Sequence, residues 1–471
     1  MAAARPMRVL QVSASDAGGG ANAVAARLTV GLRQLGHESW LAVGRRTGQE
    51  PGTLAIPHDD GAVWRHSGYS AAYEGLRRVA AAHPGSGAGL ASKLLRRATH
   101  PEARHAWRTG LEDFDFSGTA RLLSLPPSPP DLLHAHNLHG GYFDLRQLPT
   151  LSHRLPVCLT LHDAWLLSGH CAHSFACERW RTGCGACPDL TIEPAVRRDR
   201  TAENWRTKQG LFAEARLHVA TPSAWLMARV EASILAPALA SVRVIPNGID
   251  TTAFAPGDQA TARAAFDLAP DTLVIMVTTG EPGARWRDTD CVADALDRVV
   301  AQREDRPVRI LAVGRAPLTA GAISPRLAAR LIDTGHLGPE RMRRAYQAAD
   351  LYVHAARVDT FPTTVLEALA CGLPVVATRT GGIPEQIRSV PLSALVAGGE
   401  APALTGTGAL LEPGDAAGMS AAMTALLGAP ALRRRLGAQA AADARDRFSL
   451  DRQVRACADW YCEILSARHA S

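Results

Sequence analysis

The stretch Asp359-Thr-Phe361-Pro362-Thr363-Thr364-Val365-Leu-Glu367-Ala-Leu-Ala-Cys-Gly372-Leu-Pro374-Val-Val-Ala377 reads as a loop, a short helix and a buried strand. Proline has its φ preset for the first position of a helix, so Pro362 is expected there. The amides that follow, from Thr363 to Val365, then lack acceptors inside the helix. A helix start of this kind, with free N–H groups and the positive end of the dipole, suits a phosphate. Glu367 comes five residues after Pro362, about 7.5 Å along the axis at 1.5 Å per residue. That spacing lets its carboxylate reach a ribose while the phosphate sits at the helix tip. Asp359, just before the helix, is expected to point at a sugar.

Outward from this stretch the second half alternates. Strands are expected at 273–278, 308–313, 351–354 and 375–378, and helices at 291–302, 341–349, 365–370, 415–428 and 430–447. The first half opens in the same way. A strand at 8–13 is broken by Gly18-Gly19-Gly20. A helix at 21–35 follows, with Val24, Leu28, Leu32 and Leu35 at helical spacing, and then a strand at 39–43. Further strands are expected at 132–135, 157–161 and 242–245, and helices at 69–82, 89–109, 195–215 and 223–234. Strands alternating with helices in both halves imply an α/β fold of two Rossmann-like, doubly wound parallel sheets. Ligands of such sheets bind beyond the carboxyl ends of the strands, and two sheets facing each other would share one cleft. The expected division is residues 1–255, including a Cys-rich loop at 170–188, then 256–447, then a last helix in 448–471.

Composition agrees with two folded domains. The chain has 471 residues, 46% hydrophobic and 20% charged, enough for sizeable cores. No run of about 18 apolar residues is present, so no membrane span is expected. The start lacks the architecture of a signal peptide, and a cytoplasmic protein with mostly reduced or metal-bound cysteines follows. The net charge of +6 suits an anionic ligand such as a nucleotide diphosphate, or a weak contact with an acidic membrane surface. The basic residues are too few and too scattered for a nucleic-acid partner.

The stretch around Asp359 resembles the donor-binding segment of family 4 retaining glycosyltransferases, which have the GT-B fold of two Rossmann-like domains facing a cleft. That family carries two acidic residues separated by seven others, matched here by Asp359 and Glu367, with Asp in place of the usual first Glu. The resemblance implies that Glu367 binds the donor ribose and Asp359 the transferred sugar. Gly18-Gly19-Gly20 looks like the family's N-terminal glycine loop, and Pro246-Asn247-Gly248-Ile-Asp250 like the segment before its linker. Thr380-Gly381-Gly382-Ile-Pro-Glu385 looks like the next donor-side loop, and His336-Leu337-Gly338 stands where the family holds the nucleobase. Phe361, Thr363, Thr364 and Val365 fall in the diphosphate-binding stretch. His134-Ala-His136-Asn137-Leu-His139 and Thr160-Leu-His162-Asp163-Ala-Trp165 resemble the exopolysaccharide subgroup with colanic-acid enzymes, and His162 aligns with the family's active-site histidine. The resemblance also implies that the last helix crosses back to the first domain.

The basic clamp departs most from the family, which carries an Arg and, five residues later, a Lys. Here the segment reads Thr279-Gly280-Glu-Pro-Gly-Ala-Arg285-Trp-Arg287-Asp288, so Arg285 or Arg287 is expected to hold the diphosphate. No catalytic metal is expected, since Asp288-Thr-Asp290 reads as the acidic start of a helix. Cys171, Cys177, Cys184 and Cys187 suit one structural tetrahedral zinc, against free thiols or a disulfide. The remaining cysteines read as core residues. The sequence thus implies a retaining transfer from a nucleoside-diphosphate sugar to a saccharide or natural-product acceptor. An antibiotic-type or thiol acceptor, an inactive sugar-nucleotide-binding protein and a dehydrogenase are the alternatives. The glycine loop lacks the full dinucleotide spacing, which disfavours the last.

Overall fold

In the computed structural model, strand β1 (Arg8–Ser15) lies inside a parallel sheet that also holds β2 (Glu38–Arg45), β3 (Thr53–Ala55), β4 (Leu132–His136), β5 (Val157–Thr160), β6 (Leu217–Thr221) and β7 (Leu239–Val244). The order is β3-β2-β1-β4-β5-β6-β7, so the winding reverses between β1 and β4. A second parallel sheet has the order β10-β9-β8-β11-β12-β13. Its strands are β8 (Leu273–Gly280), β9 (Val308–Gly314), β10 (Leu331–Asp333), β11 (Leu351–His354), β12 (Val375–Thr378) and β13 (Gly408–Leu411), and its reversal falls between β8 and β11. Such reversals open a crevice at the carboxyl ends of the flanking strands, the usual ligand position in this architecture. The described residues are 5–48, 50–57, 75–76, 79, 87–303, 308–319, 321, 323–397 and 404–470. They divide into two compact units: residues up to Ile245 with those from Val454 onward, and Pro246–Gln453.

The inner strands of both sheets are covered on both faces and read as near-continuous buried runs, whereas the edge strands β3, β7 and β10 are partly exposed. Helix α1 (Gly20–Gln34) packs in the first unit through Val24, Leu28 and Leu32. A Cβ on Gly31 would stand 2.4 Å from Val454 Cγ2, so glycine lets the last helix, α8 (Leu450–Ala470), approach closely. The first unit also holds α2 (Thr201–Ala213). The second unit adds α3 (Thr289–Gln302), α4 (Pro339–Ala348), α5 (Thr363–Ala370), α6 (Ala416–Gly428) and α7 (Pro430–Phe448). Aliphatic side chains of α3 and α6 fill one core cluster with β8, β9 and β12.

Some expectations need correction. The helix read at 89–109 is two helices, Ala88–Thr99 and Pro101–Thr109, because Pro101 lacks an N–H and drives His100 out of the helical region, to φ −109 and ψ 109. The helix read from 195 begins only at Thr201. Before it, Asp199 accepts from the amides of Thr201 (3.1 Å) and Cys187 (2.6 Å), turning the chain. Strands β3, β6, β10 and β13 were not expected. Cys462, read as core, is exposed. The helix expected at 69–82 lies almost wholly outside the described residues.

Candidate active site

In the second unit, the loop after β8 and the loop after β11 meet. An isolated bridge pairs Arg287 with Ala356, so the Arg287 side chain is carried back over the end of β11. Its guanidinium donates to His354 (2.9 Å to Nδ1) and stands 3.9 Å from Asp359 Oδ2. His354 Nε2 is 3.6 Å from the same carboxylate oxygen. Burial, then the neighbouring guanidinium, hold His354 down to about 4, so the imidazole is neutral and Arg287 is the charged member of the pair beside Asp359. Arg287 Nε is buried without a partner among the described residues. A buried donor left unmade is costly unless a ligand completes it. Arg285, the other candidate, is exposed.

Helix α5 starts one residue later than expected: Pro362 is its N-cap, at φ −62 and ψ 123. The amide of Val365 donates back to Pro362 O (3.2 Å), which leaves Thr363 and Thr364 as the amides without helical acceptors. Glu367, one and a half turns in, accepts from Tyr346 Oη at 3.0 Å. Tyr346 lies on α4, whose start follows His336-Leu337-Gly338, so one hydroxyl ties that loop's helix to the carboxylate. Leu337 is buried and His336 exposed. Asn247 donates to Phe361 O (3.5 Å) and Gln386 to Pro362 O (3.0 Å), bracing the loop before α5. The carbonyl of Asp359 accepts from the amide of Gly382 (3.0 Å). Asp288 faces Arg357 (3.4 Å), and Asp290 accepts from Thr319 (2.6 Å).

In the first unit the carboxyl ends of β1, β4 and β5 carry the polar groups. Gly18 and Gly19 have φ of 73° and 71°, and α1 starts at Gly20. Positive φ at two successive positions is what a glycine loop supplies. Asp16 pins the neighbouring loop through the amides of Thr47 and Gly48, both at 2.8 Å. His134 and His136 are two apart on β4, so they share one face of the sheet, and both are buried. His136 Nδ1 lies 3.1 Å from His162 Nε2. Beyond the strand ends, Asp163 accepts from His139 (2.7 Å), Asn137 (2.8 Å) and the amide of Trp165 (2.9 Å). Asn137 in turn accepts from the amide of His162 (3.0 Å). Burial pulls His162 down to about 4. His139 goes the other way: burial opposes its charge, but the carboxylate of Asp163 raises it overall. The cavity among these residues has room for about 10 Å³, one water, and is not itself a ligand seat.

Sequence reasoning missed Gln11, Tyr461, His354 and the buried pair of Lys208 with Glu112 (2.9 Å). Lys208 also donates to the carbonyls of Trp165 and Ser168, both at 3.0 Å, fixing the start of the Cys-rich loop from below. A lysine and a glutamate in amphipathic surroundings look solvated in sequence, so no signal marked this pair. In the loop, Cys171, Cys177, Cys184 and Cys187 are free thiols. The amide of Gly169 donates to Cys184 Sγ (3.2 Å), and His170 Nε2 is 3.4 Å from Cys187 Sγ. Among the described residues, no three His, Cys, Asp or Glu side chains already stand at coordination spacing. No helix of the described residues is long and apolar enough to cross a membrane.

Residues 18–253 match the family described as Glycosyltransferase Family 4, and residues 274–429 the one described as Glycosyl transferases group 1. The putative colanic acid biosynthesis glycosyl transferase of Escherichia coli K12 is 31% identical over 272 residues, covering 55% of this chain and 62% of its own. The D-inositol 3-phosphate glycosyltransferase of Mycobacterium sp. strain JLS is 36% identical over 168 residues, covering 33% and 36%. This chain therefore spans less than two thirds of either relative. Among solved structures, the sucrose-phosphate synthase of Thermosynechococcus elongatus superposes with a TM-score of 0.59 at 17% identity, covering 98% of this chain and all of its own. The Anabaena protein HepE, solved with UDP, gives 0.57 at 16% identity, covering 97% and 100%. At those identities the superpositions speak for the fold.

Proposed function

The chain belongs to glycosyltransferase family 4, and we propose that it is a GT-B enzyme moving a sugar from a nucleoside-diphosphate sugar to an acceptor, that it works with retention at the anomeric carbon and that it builds a saccharide. In this reading the second unit holds the donor. His336 and Leu337 meet the base, Glu367 the ribose, and Asn247, Phe361 and the start of α5 the diphosphate, through the open amides of Thr363 and Thr364 and not that of Val365, which is already paired. Asp359 meets the transferred sugar. Gly18, Gly19, Gly20 and His162 are the site residues of the first unit in this reading. The observation that supports this most is Arg287: a guanidinium gathered against neutral His354 and Asp359, with one N–H buried and unpartnered. Preorganised positive charge beside a departing diphosphate lowers the barrier as negative charge grows on it. Attack on the same face as the leaving phosphate then needs no second carboxylate.

The saccharide acceptor follows the colanic acid relative. A small polyol acceptor is the second reading, favoured by the relatives described as acting on D-inositol 3-phosphate. Thermal unfolding with UDP, GDP, ADP and dTDP tests the donor site. A ligand at a hundred times its Kd adds about 2.7 kcal/mol, and the shift should vanish in Glu367→Ala. No shift with any nucleotide would sink this reading. NMR of the product's anomeric proton decides retention.

We also propose that the loop bearing Cys171, Cys177, Cys184 and Cys187 holds a structural zinc. Four free thiols in one loop and an N–H already donating to the sulfur of Cys184 support it. The ion would have to draw the sulfurs together, as structural zinc commonly does on folding. Metal analysis should find about one zinc per chain, absent from Cys184→Ser; zinc-free native protein rules it out.

A further inference from the structure

Two turns of the Cys-rich loop are fastened to the start of α2. Gly169 has no room for a side chain: a Cβ there would stand 2.3 Å from Thr201 O, so the turn of residues 168–171 lies flat on the first residue of that helix. The hydroxyl of Ser168 closes this turn by donating to Cys171 O (2.7 Å). Asp199 brings the second turn to the same place, one oxygen accepting from the amide of Thr201 (3.1 Å) and the other from that of Cys187 (2.6 Å). The two turns then touch. The amide of Gly169 donates to Cys184 Sγ at 3.2 Å, and His170 Nε2 stands 3.4 Å from Cys187 Sγ. Cys171, next in the chain, lies within electrostatic reach of Cys184 and Cys187.

Cys177 lies within the same reach of Cys184 and Cys187, but its turn is tied elsewhere. Its amide donates to Ser174 O (2.8 Å). Arg229 donates to Ser174 Oγ (3.0 Å) and stands 3.8 Å from Glu178, which moors residues 174–178 to the helix Ala224–Glu231. His170 has the opposite setting. It is 2% exposed. Its Nδ1 lies 3.1 Å from the carbonyl oxygen of Pro194, which can only accept, so that nitrogen carries a proton. Donating one ring N–H to a backbone carbonyl while the other nitrogen meets the ion is the usual arrangement of a metal-bound imidazole. The distance to Cys187 fits as well. Zn–S of about 2.3 Å and Zn–N of about 2.0–2.1 Å at a tetrahedral angle hold sulfur and nitrogen about 3.5–3.6 Å apart. The observed 3.4 Å is close to that edge.

Resting on the proposal that this loop holds a structural zinc, we infer that the ion is held by His170 with Cys171, Cys184 and Cys187, and that Cys177 is left out. Among the described residues no third ligand stands at coordination spacing. The sulfurs of Cys171 and Cys184 therefore swing in as the ion binds, a coupling of metal to folding. Binding sends the three thiol protons to solvent and forms one Zn–N and three Zn–S bonds. The site is then closed, with no position for substrate. It clamps the loop that follows His162 and Asp163 to the start of α2.

X-ray absorption at the zinc edge, on the full chain purified without chelator, reads the ligands with no variant needed. It should show three sulfurs and one nitrogen. Chelator competition should place Cys177→Ser within about threefold of wild type and His170→Ala at least about a hundredfold weaker, with circular dichroism confirming that each is folded. If His170→Ala does not fold, the absorption spectrum decides alone. A shell of four sulfurs, zinc lost from folded Cys177→Ser, or zinc held undiminished by folded His170→Ala each overturns this ligand set and leaves the zinc reading standing. Native protein that carries no zinc sinks the zinc reading itself, and the contact of His170 with Cys187 is then a thiol–imidazole hydrogen bond alone.

Discussion

Gly381 has no room for a side chain. A Cβ there would stand 1.8 Å from Asp359 O, and its φ of 57° is one that L residues rarely adopt. Two penalties of different origin coincide, and the carbonyl that would be pushed aside belongs to the residue proposed to face the sugar. Gly381→Ala should therefore cost at least about 1–3 kcal/mol of local strain and lower kcat/KM at least a hundredfold. Urea melts alongside initial rates separate the two effects; full activity would refute the role of this backbone approach. Arg287 makes a second case. Arg287→Lys keeps the charge but loses the planar donors that meet His354, so nucleotide binding should weaken about tenfold, and Arg287→Ala about a hundredfold, from the usual 1.5–3 kcal/mol of a charge-assisted bond. Titration calorimetry with the preferred nucleotide reads both. At this scale the sequence was legible where chemistry forces a residue type. Asp359, Glu367 and the glycines were found by spacing, whereas His354, the last residue of a buried strand pattern, looked like any core position until Arg287 folded back onto it.

Elements were legible in proportion to their periodicity. Helices α1, α3, α6 and α7 carry long apolar repeats, and their observed bounds lie within two residues of those expected. Strands β3 and β10 are three residues long, too short to show alternation. Strand β6 begins four residues after α2 ends, and its Leu217-His-Val-Ala-Thr221 was hidden beside the helical reading. Pro101 was the opposite error: a breaker overruled by the apolar pattern on either side. The Cys-rich loop has almost no regular structure, and Lys208 on α2 anchors it. Burial pushes Lys208 down and Glu112 up, toward their neutral forms, and their mutual contact is the largest effect that opposes it. Lys208→Met removes the partner and strands the Glu112 carboxyl, so it should destabilise by about 3–5 kcal/mol. Replacing both, Lys208→Met with Glu112→Leu, should recover much of that loss. Denaturant melts of the three proteins test the pair, and a Lys208→Met midpoint equal to wild type would show the contact to be inert.

At the scale of the whole molecule, acid stability should differ between the two units. His134 is held down to about 3 and His162 to about 4 by burial, His136 lies well below its ordinary value for the same reason, and all three belong to the first unit. The second unit contributes His354, at about 4. Unfolded, each returns to about 6.5. Between about 6.5 and 4 the unfolded chain therefore binds more protons, and stability falls as pH falls, at about 1.4 kcal/mol per pH unit for each histidine. His139 does not offset this. Its folded value is raised, so its contribution is fully present below 6.5 and is lost only as pH rises through the folded value. Asp163, held low by His139 and the Trp165 amide against the cost of burial, loses its contribution only as pH falls below the carboxylate range. His218 of the first unit is also held down to about 4 by burial, and His37 and His170 are lowered too, so the first unit should lose stability at least about four times as steeply as the second between pH 6.5 and 5. Tryptophan reports the difference, because of the nine tryptophans only Trp286 lies within Pro246–Gln453. Urea midpoints followed by tryptophan fluorescence should drop faster on acidification than midpoints followed by far-UV circular dichroism. Coincident midpoints at pH 7 and pH 5 would mean that the buried imidazoles take up protons without opening the first unit.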